Sequence, residues 1–319
     1  MIQVAHHEVS NGDGWMLSLR RTFDDAALVR ERDPLLLIPG YGTNSLLFAF
    51  PPSGTSVEAS LAARGFEVWS IDLRGHGRSR NDGGSTRYGL MDLVLKDLFA
   101  GVHGVLERTA STAKKVDLIG CSLGGSMAFA YLTAVEEPRV GRIVNMGGPV
   151  RWIHVHPLVR LAFRSPRLIG KIPMPSTRPF VRMAMPAIER VPGILSFYLH
   201  ADSELLAHSD SLVQALESPS RHLNQDIAEW IQQRDLVIGG VNVAEKVSSI
   251  NVPLLTVVAN DDGIVPRDSV LWPHMQVRSE RRDLLEVGTY SIPITHADMF
   301  VSRHAPEMVF APLADWLAS

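Results

Sequence analysis

Residues 115–137 confine the chain to few architectures. An apolar run, KVDLIG (115–120), passes through Gly120–Cys121–Ser122–Leu123–Gly124–Gly125 straight into SMAFAYLTAVEE, a stretch of helical composition. A short strand-like run closed by glycine and followed at once by helix is the βα half of a parallel-sheet unit. The same alternation surrounds it: PLLLIPG (34–40) and FEVWSIDLRG (66–75) come before, and VGRIVNMGG (140–148), PLLTVVAND (253–261) and RDLLEVG (282–288) come after. These β-branched and aromatic runs read as buried strands. Helices are predicted near 56–64, 88–108, 123–135 and 304–317. Residues 1–10 and 15–23 read as two further strands, separated by Asn11–Gly12–Asp13–Gly14, a hairpin signal. The fold class is therefore α/β with a mostly parallel sheet.

The alternation stops after residue 148 and resumes near 253, so residues 149–245 read as an insertion between two strands of one sheet. The core is then 1–148 and 246–319, and the insertion accounts for a length that could otherwise suggest two domains at roughly 150 residues each. Charge separates the two parts. The chain has 31 Lys+Arg against 34 Asp+Glu, a formal charge of −3 that argues against a nucleic-acid binder. Yet from Arg151 to Arg190 there are eight basic residues and one acidic, Glu189. Six prolines in that stretch (157, 166, 173, 175, 179, 186) cut its helices short, because proline lacks an amide donor and clashes with the preceding turn. Residues 200–235 read as more regularly helical. A single cysteine excludes a disulfide framework and any multi-cysteine metal site. Residues 1–20 show no basic start followed by an apolar stretch, and no apolar run approaches the roughly 20 residues needed to span a bilayer. The expectation is a soluble, cytoplasmic protein.

Ser122 is the centre of a G-x-S-x-G pentapeptide at a strand-to-helix turn, where flanking side chains would collide and glycine is needed. A serine hydroxyl is a poor nucleophile until a base takes its proton, so a histidine and an orienting acid should lie further along the chain. Asp261 and Asp262 follow the run 254–259, and Thr295–His296–Ala297–Asp298 follows the run 284–287. IDLRGHGRS (71–79) adds a D-x-R-G-x-G-x-S loop.

Taken in this order, these segments resemble the α/β-hydrolase superfamily of serine hydrolases, over nearly the whole chain apart from the insertion. The resemblance implies a central sheet flanked by helices with an inserted, mainly helical cap. In the family's acid loop the aspartate lies three residues before the Val of Val-Pro, which selects Asp262 over Asp261. His296 takes the position of the family histidine. The implied catalytic set is Ser122, Asp262 and His296. The implied oxyanion hole is made by the backbone N–H groups of Leu123 and Tyr41, with Gly120 and Gly124 as the elbow glycines, no metal and no cofactor. Relatives often carry His-Gly where this chain has Pro39–Gly40; a backbone role tolerates that departure.

Competing residues have plainer readings. Cys121 is expected to be a small packed residue and His304 a surface or packing residue in a helical run. His76 is expected to be structural and Asp72 to fix its own loop. His154 and His156 have no acidic neighbour in sequence, which argues against a metal site. LLLIPGYGTNS (35–45), GFEVWSIDLRGHG (65–77) and GGPV (147–150) narrow the resemblance to hydrolases similar to polyhydroxyalkanoate synthases and acid lipases. The synthases carry cysteine at the elbow centre, so Ser122 favours hydrolysis of an ester with an apolar acyl group. The alternatives are an acyl-CoA thioesterase or acyltransferase, and a ligand-binding fold without catalysis, against which the complete Ser122, Asp262 and His296 set argues. Within the insertion, Phe163, Met174, Phe180, Met183, Met185, Phe197 and Tyr198 either build the cap's own core or line an acyl pocket. The basic excess there suits an anionic substrate or transient contact with an anionic membrane surface. The partner implied is a small-molecule ester or thioester, with the oligomeric state left open.

Overall fold

The structure, a computed structural model, describes residues 1–52, 55–166, 178, 179, 182, 197–200 and 208–319. Its strands are β1 (Ile2–Ser10), β2 (Trp15–Asp24), β3 (Leu35–Ile38), β4 (Val68–Asp72), β5 (Arg80–Asn81), β6 (Val116–Cys121), β7 (Val140–Met146), β8 (Val237–Ile238), β9 (Val241–Asn242), β10 (Leu254–Ala259) and β11 (Arg282–Val287). Nine of them form one sheet in the order β1-β2-β4-β3-β6-β7-β10-β11, with β5 paired to β2, while β8 and β9 make a separate ribbon. The pairings β1/β2 and β2/β4 are antiparallel and all those from β4 to β11 are parallel.

Alternation of side chains along buried strands splits the core into two layers. Leu36, Ile38, Leu118 and Ile143 pack with the helices Phe99–Arg108 and Leu123–Ala134 on one face. Leu35, Leu37, Ile119 and Val144 pack with Val57–Ala63 and Ala311–Ala318 on the other. The three two-residue strands were not expected, because a pair of residues carries no period-2 signal. The predicted helix at 88–108 is continuous in direction but contains a π-helical stretch, Leu93–Leu98, and the last helix contains another, Pro306–Phe310.

The D-x-R-G-x-G-x-S loop earns its shape from buried polar contacts. Asp72 accepts from the backbone N–H of Ser45 at 2.8 Å and of Arg78 at 2.9 Å. The Arg74 guanidinium, 1% exposed, bonds Asp97 and Asp13 at 2.7 Å each. His76 is buried as well, and that burial lowers its pKa.

The chain leaves the sheet after β7 and returns at β10. Both ends of this excursion are tied together: Arg151 forks onto Asp235 at 2.5 and 2.7 Å, and the Trp152 and Trp230 rings lie 5.6 Å apart. Its described helices are Pro157–Ala162, Ser209–Ala215, Arg221–Gln233 and, just before β10, the short Val243–Lys246 with a 3-10 turn, Val247–Ser249. Met174, Phe180, Met183 and Met185, with Arg167, Lys171 and Arg190, lie outside the described residues.

One buried carboxyl sets a pH dependence of stability. Burial, reinforced by nearby Asp33, raises Asp117 on β6 from 3.8 to about 7. The folded state then binds more protons than the unfolded chain between those values. Stability is full below the lower one and falls as pH rises through the window, by at most about 1.4 kcal/mol per unit. Asp117→Asn is expected to flatten that decline, read from urea midpoints between pH 4 and 8. A wild-type midpoint that holds steady across this range would contradict the assignment.

Candidate functional site

β6 ends in a turn that its own geometry makes costly. Ser122 has φ 52° and ψ −115°, outside the regions an L-residue prefers, and Leu123 begins the next helix immediately. The strain is held by hydrogen bonds: Ser122 N–H donates to Met146 O at 2.8 Å, and Ser122 O accepts from Gly125 N–H at 2.9 Å. The neighbouring glycines are required by space. A Cβ on Gly120 would sit 2.3 Å from Gly125 N, and one on Gly124 would sit 2.2 Å from Ile38 O.

The turn presents Ser122 to a cavity of about 280 Å³, lined also by Gly40, Tyr41, Leu123 and His296. The remaining wall is mostly apolar, including Trp152, Phe163, Trp230, Ile231 and Phe300, and among the described residues it holds no Asp, Glu, Lys or Arg. Cys121 also borders the cavity, but burial raises its thiol far above the ordinary range and keeps it protonated.

The loops after β10 and β11 bring Asp262 and His296 together. Asp262 Oδ2 lies 2.6 Å from His296 Nδ1, with the two side chains 4% and 7% exposed. Asp262 Oδ1 accepts from the N–H groups of Ile264 and Val265 at 2.8 and 2.9 Å, which fixes the carboxylate's orientation. Asp261 is exposed and its N–H donates to Ile294 O. With Nδ1 engaged by the acid, the other ring nitrogen, Nε2, is the one left for proton transfer.

Tyr41 follows β3. Its hydroxyl donates to Asn224 Oδ1 at 2.5 Å and its ring meets Phe163 edge-on at 5.9 Å, so the side chain is drawn toward the excursion. The preceding residue stays close to the turn: a Cβ on Gly40 would lie 3.3 Å from Ser122 Cβ. Leu123, as the first helical residue, has an N–H without an intrahelical acceptor.

Three residues of the excursion clasp both loops. Phe197 O accepts from Gly263 N–H at 3.0 Å, and Tyr198 O accepts from Ala297 N–H at 2.9 Å and Thr295 Oγ1 at 2.8 Å. The Tyr198 ring stacks on His296 at 6.2 Å; burial, then the neighbouring Cys121 and Asp262, raises its phenol to about 12. Buried Asp298 accepts from Thr295 Oγ1 at 2.6 Å and faces His200 Nδ1 at 2.6 Å. Sequence reasoning quoted Asp298 but gave it no role, and it did not find His200 or Asn224. The signal was the two-residue spacing from His296 to Asp298; His200 lies 98 residues from Asp298, and Asn224 lies 183 from Tyr41. His154, read as lacking an acidic neighbour, is paired with Asp268 across 114 residues. His304 sits in a turn ahead of the last helix rather than within it.

Strand order, the strained serine turn after the central β6, and an acid and a histidine on later strand ends define the α/β-hydrolase fold. The family described as serine aminopeptidase, S33 matches residues 35–284, and the chain belongs to that family of hydrolases. Among solved structures it is similar to an esterase from Exiguobacterium antarcticum (18% identity, TM-score 0.62, covering 99% of this chain and 100% of the other). It is also similar to esterase RhEst1 from Rhodococcus sp. ECU1013 (20%, 0.65, 98% of each) and to the enol-lactonase from Burkholderia xenovorans LB400 (16%, 0.63, 98% and 100%). No curated protein matches the chain. Among the described residues no helix is long and apolar enough to cross a membrane.

Proposed function

We propose that the protein hydrolyses carboxylic esters with an apolar acyl group, through Ser122, His296 and Asp262. The observation that carries this reading is the apolar cavity into which Ser122 and the Asp262-paired His296 both face. His296 Nε2 takes the Ser122 proton as Oγ bonds to the carbonyl carbon, and Asp262 holds the imidazole tautomer and stabilises the imidazolium. The backbone N–H groups of Leu123 and Tyr41 receive the charge on the carbonyl oxygen. His296 returns the proton to the departing alcohol, leaving an acyl-serine. It then deprotonates water, whose attack releases the acid and restores Ser122.

An aminopeptidase has to hold a protonated amine, and among the described residues no carboxylate lines the cavity, so an uncharged acyl group fits better than a peptide N-terminus. Residues 149–245 act as the cap, since Trp152, Phe163 and Trp230 form part of the wall. The single buried cysteine suits a reducing compartment such as the cytoplasm. The likeness to polyhydroxyalkanoate synthases and acid lipases supports a second reading, an acyl-CoA thioesterase or acyltransferase, favoured by the arginines of the insertion.

A fluorophosphonate probe tests the mechanism. One adduct per chain is expected, on Ser122, with loss of p-nitrophenyl butyrate turnover in step with labelling. Folded protein that leaves Ser122 unlabelled would overturn it.

A further inference from the structure

Against the first cavity lies a second, of about 310 Å³, and the two share Phe163 and Ile231 as a common wall. The second is of opposite character. It is lined by Arg160, Arg164 and Arg234 together with His154 and Gln232, and by no carboxylate among the described residues. Two acids next to lining residues are already engaged: Asp268 pairs with His154, and Asp235, which follows Arg234 in the chain, pairs with Arg151. Among the described residues, none of the three guanidiniums has an ion-pair partner; Arg234 makes one 3.4 Å contact, to Ile153 O.

Local structure gives no reason for this grouping. Arg160 and Arg164 are spaced i,i+4 along and just beyond the helix Pro157–Ala162, where like charges repel and weaken a helix. Arg234 ends the helix Arg221–Gln233 at φ 69°, a conformation that glycine adopts at lower cost. Three cations brought together against backbone and charge preference are relieved by a bound anion, and guanidinium forks match carboxylate and phosphate oxygens.

We propose that this cavity receives an anionic group, carboxylate or phosphate, carried by the substrate at the far end of an arm that runs from Ser122 past Phe163 and Ile231. The site rests on the ester reading of Ser122 for its orientation, and it names the substrate class: an ester or thioester with one apolar segment and one terminal negative charge.

Calorimetry on Ser122→Ala protein reads binding without turnover. The ligands are methyl hexanoate (neutral), monomethyl adipate (a carboxylate on the acyl arm) and hexanoyl-CoA (phosphates on the leaving group). At low salt at least one charged ligand is expected to bind about tenfold or more tightly than the neutral one. That advantage should shrink at 0.5 M salt and fall to within about twofold when Arg160→Gln, Arg164→Gln and Arg234→Gln are combined, all at exposed positions. Preference for adipate assigns a carboxylate, and preference for the CoA ester a phosphate. Equal binding of all three, or an advantage that survives the arginine replacements, overturns the site. Turnover of neutral p-nitrophenyl hexanoate by wild-type protein reports separately on the ester reading.

Discussion

Ser122→Ala is expected to lower kcat for p-nitrophenyl butyrate by about 10⁴-fold or more, leaving only the rate that binding and the oxyanion donors supply. The size of the effect follows from the geometry. The Ser122 hydroxyl is the one nucleophile that the turn between β6 and its helix presents to the cavity beside a histidine held by a buried acid. On the proposed mechanism, alanine at 122 removes the atom that would form the acyl bond. The neighbouring thiol of Cys121 is held protonated by burial, so Cys121→Ala should keep most of the turnover. Steady-state kinetics on both variants, with circular dichroism to confirm folding, decides the matter. A Cys121→Ala protein that loses activity while Ser122→Ala keeps it would make the thiol the nucleophile.

Gly124→Ala is expected to be the most damaging single-methyl change in the core, costing more than about 4 kcal/mol or abolishing soluble expression. Its added carbon would lie 2.2 Å from the Ile38 carbonyl, backbone of β3 where it pairs with Gly120 of β6, so relief requires the helix that starts at Leu123 to part from β3. Gly12→Ala provides the scale. Gly12 has φ 70° but nothing within 4 Å of an added Cβ, so the replacement meets backbone strain alone, about 1 kcal/mol. Urea midpoints of the two proteins should therefore differ widely. Similar midpoints would mean that helix and strand can part at the turn at little cost.

How much of this was legible in advance depended on the range of the interaction. PLLLIPG and PLLTVVAND announced β3 and β10 because strands buried on both faces are apolar at nearly every position, Thr256 being the exception in β10. Ser122 announced itself because glycine at 120 and 124 is a local demand of the turn. Asp262 was chosen over Asp261 by resemblance alone; neither periodicity nor composition separates two adjacent aspartates. His154 was weighed only against its neighbours in sequence, and its partner Asp268 comes from the far side of the excursion. Tyr198 was legible only as an apolar residue of the insertion, and it lines the cavity; its contact with His296, and the roles of His200 and Asn224, had no signal, since they exist only once distant segments meet. The prolines between 157 and 186 argue against long helices, but most of that stretch, with Pro173, Pro175 and Pro186, lies outside the described residues.

The clasp made by Phe197, Tyr198 and His200 has a bearing on how such proteins are recombined. A cap is commonly regarded as an exchangeable module set on an invariant catalytic base. Here the segment between β7 and β10 supplies the carbonyls that tether Gly263, Thr295 and Ala297, and the ring that lies on His296. A chimaera that took its whole cap from a relative would inherit Ser122 unchanged yet leave the acid and histidine loops without their bracing. The productive splice points therefore lie on either side of residues 197–200, with that short stretch carried over with the base.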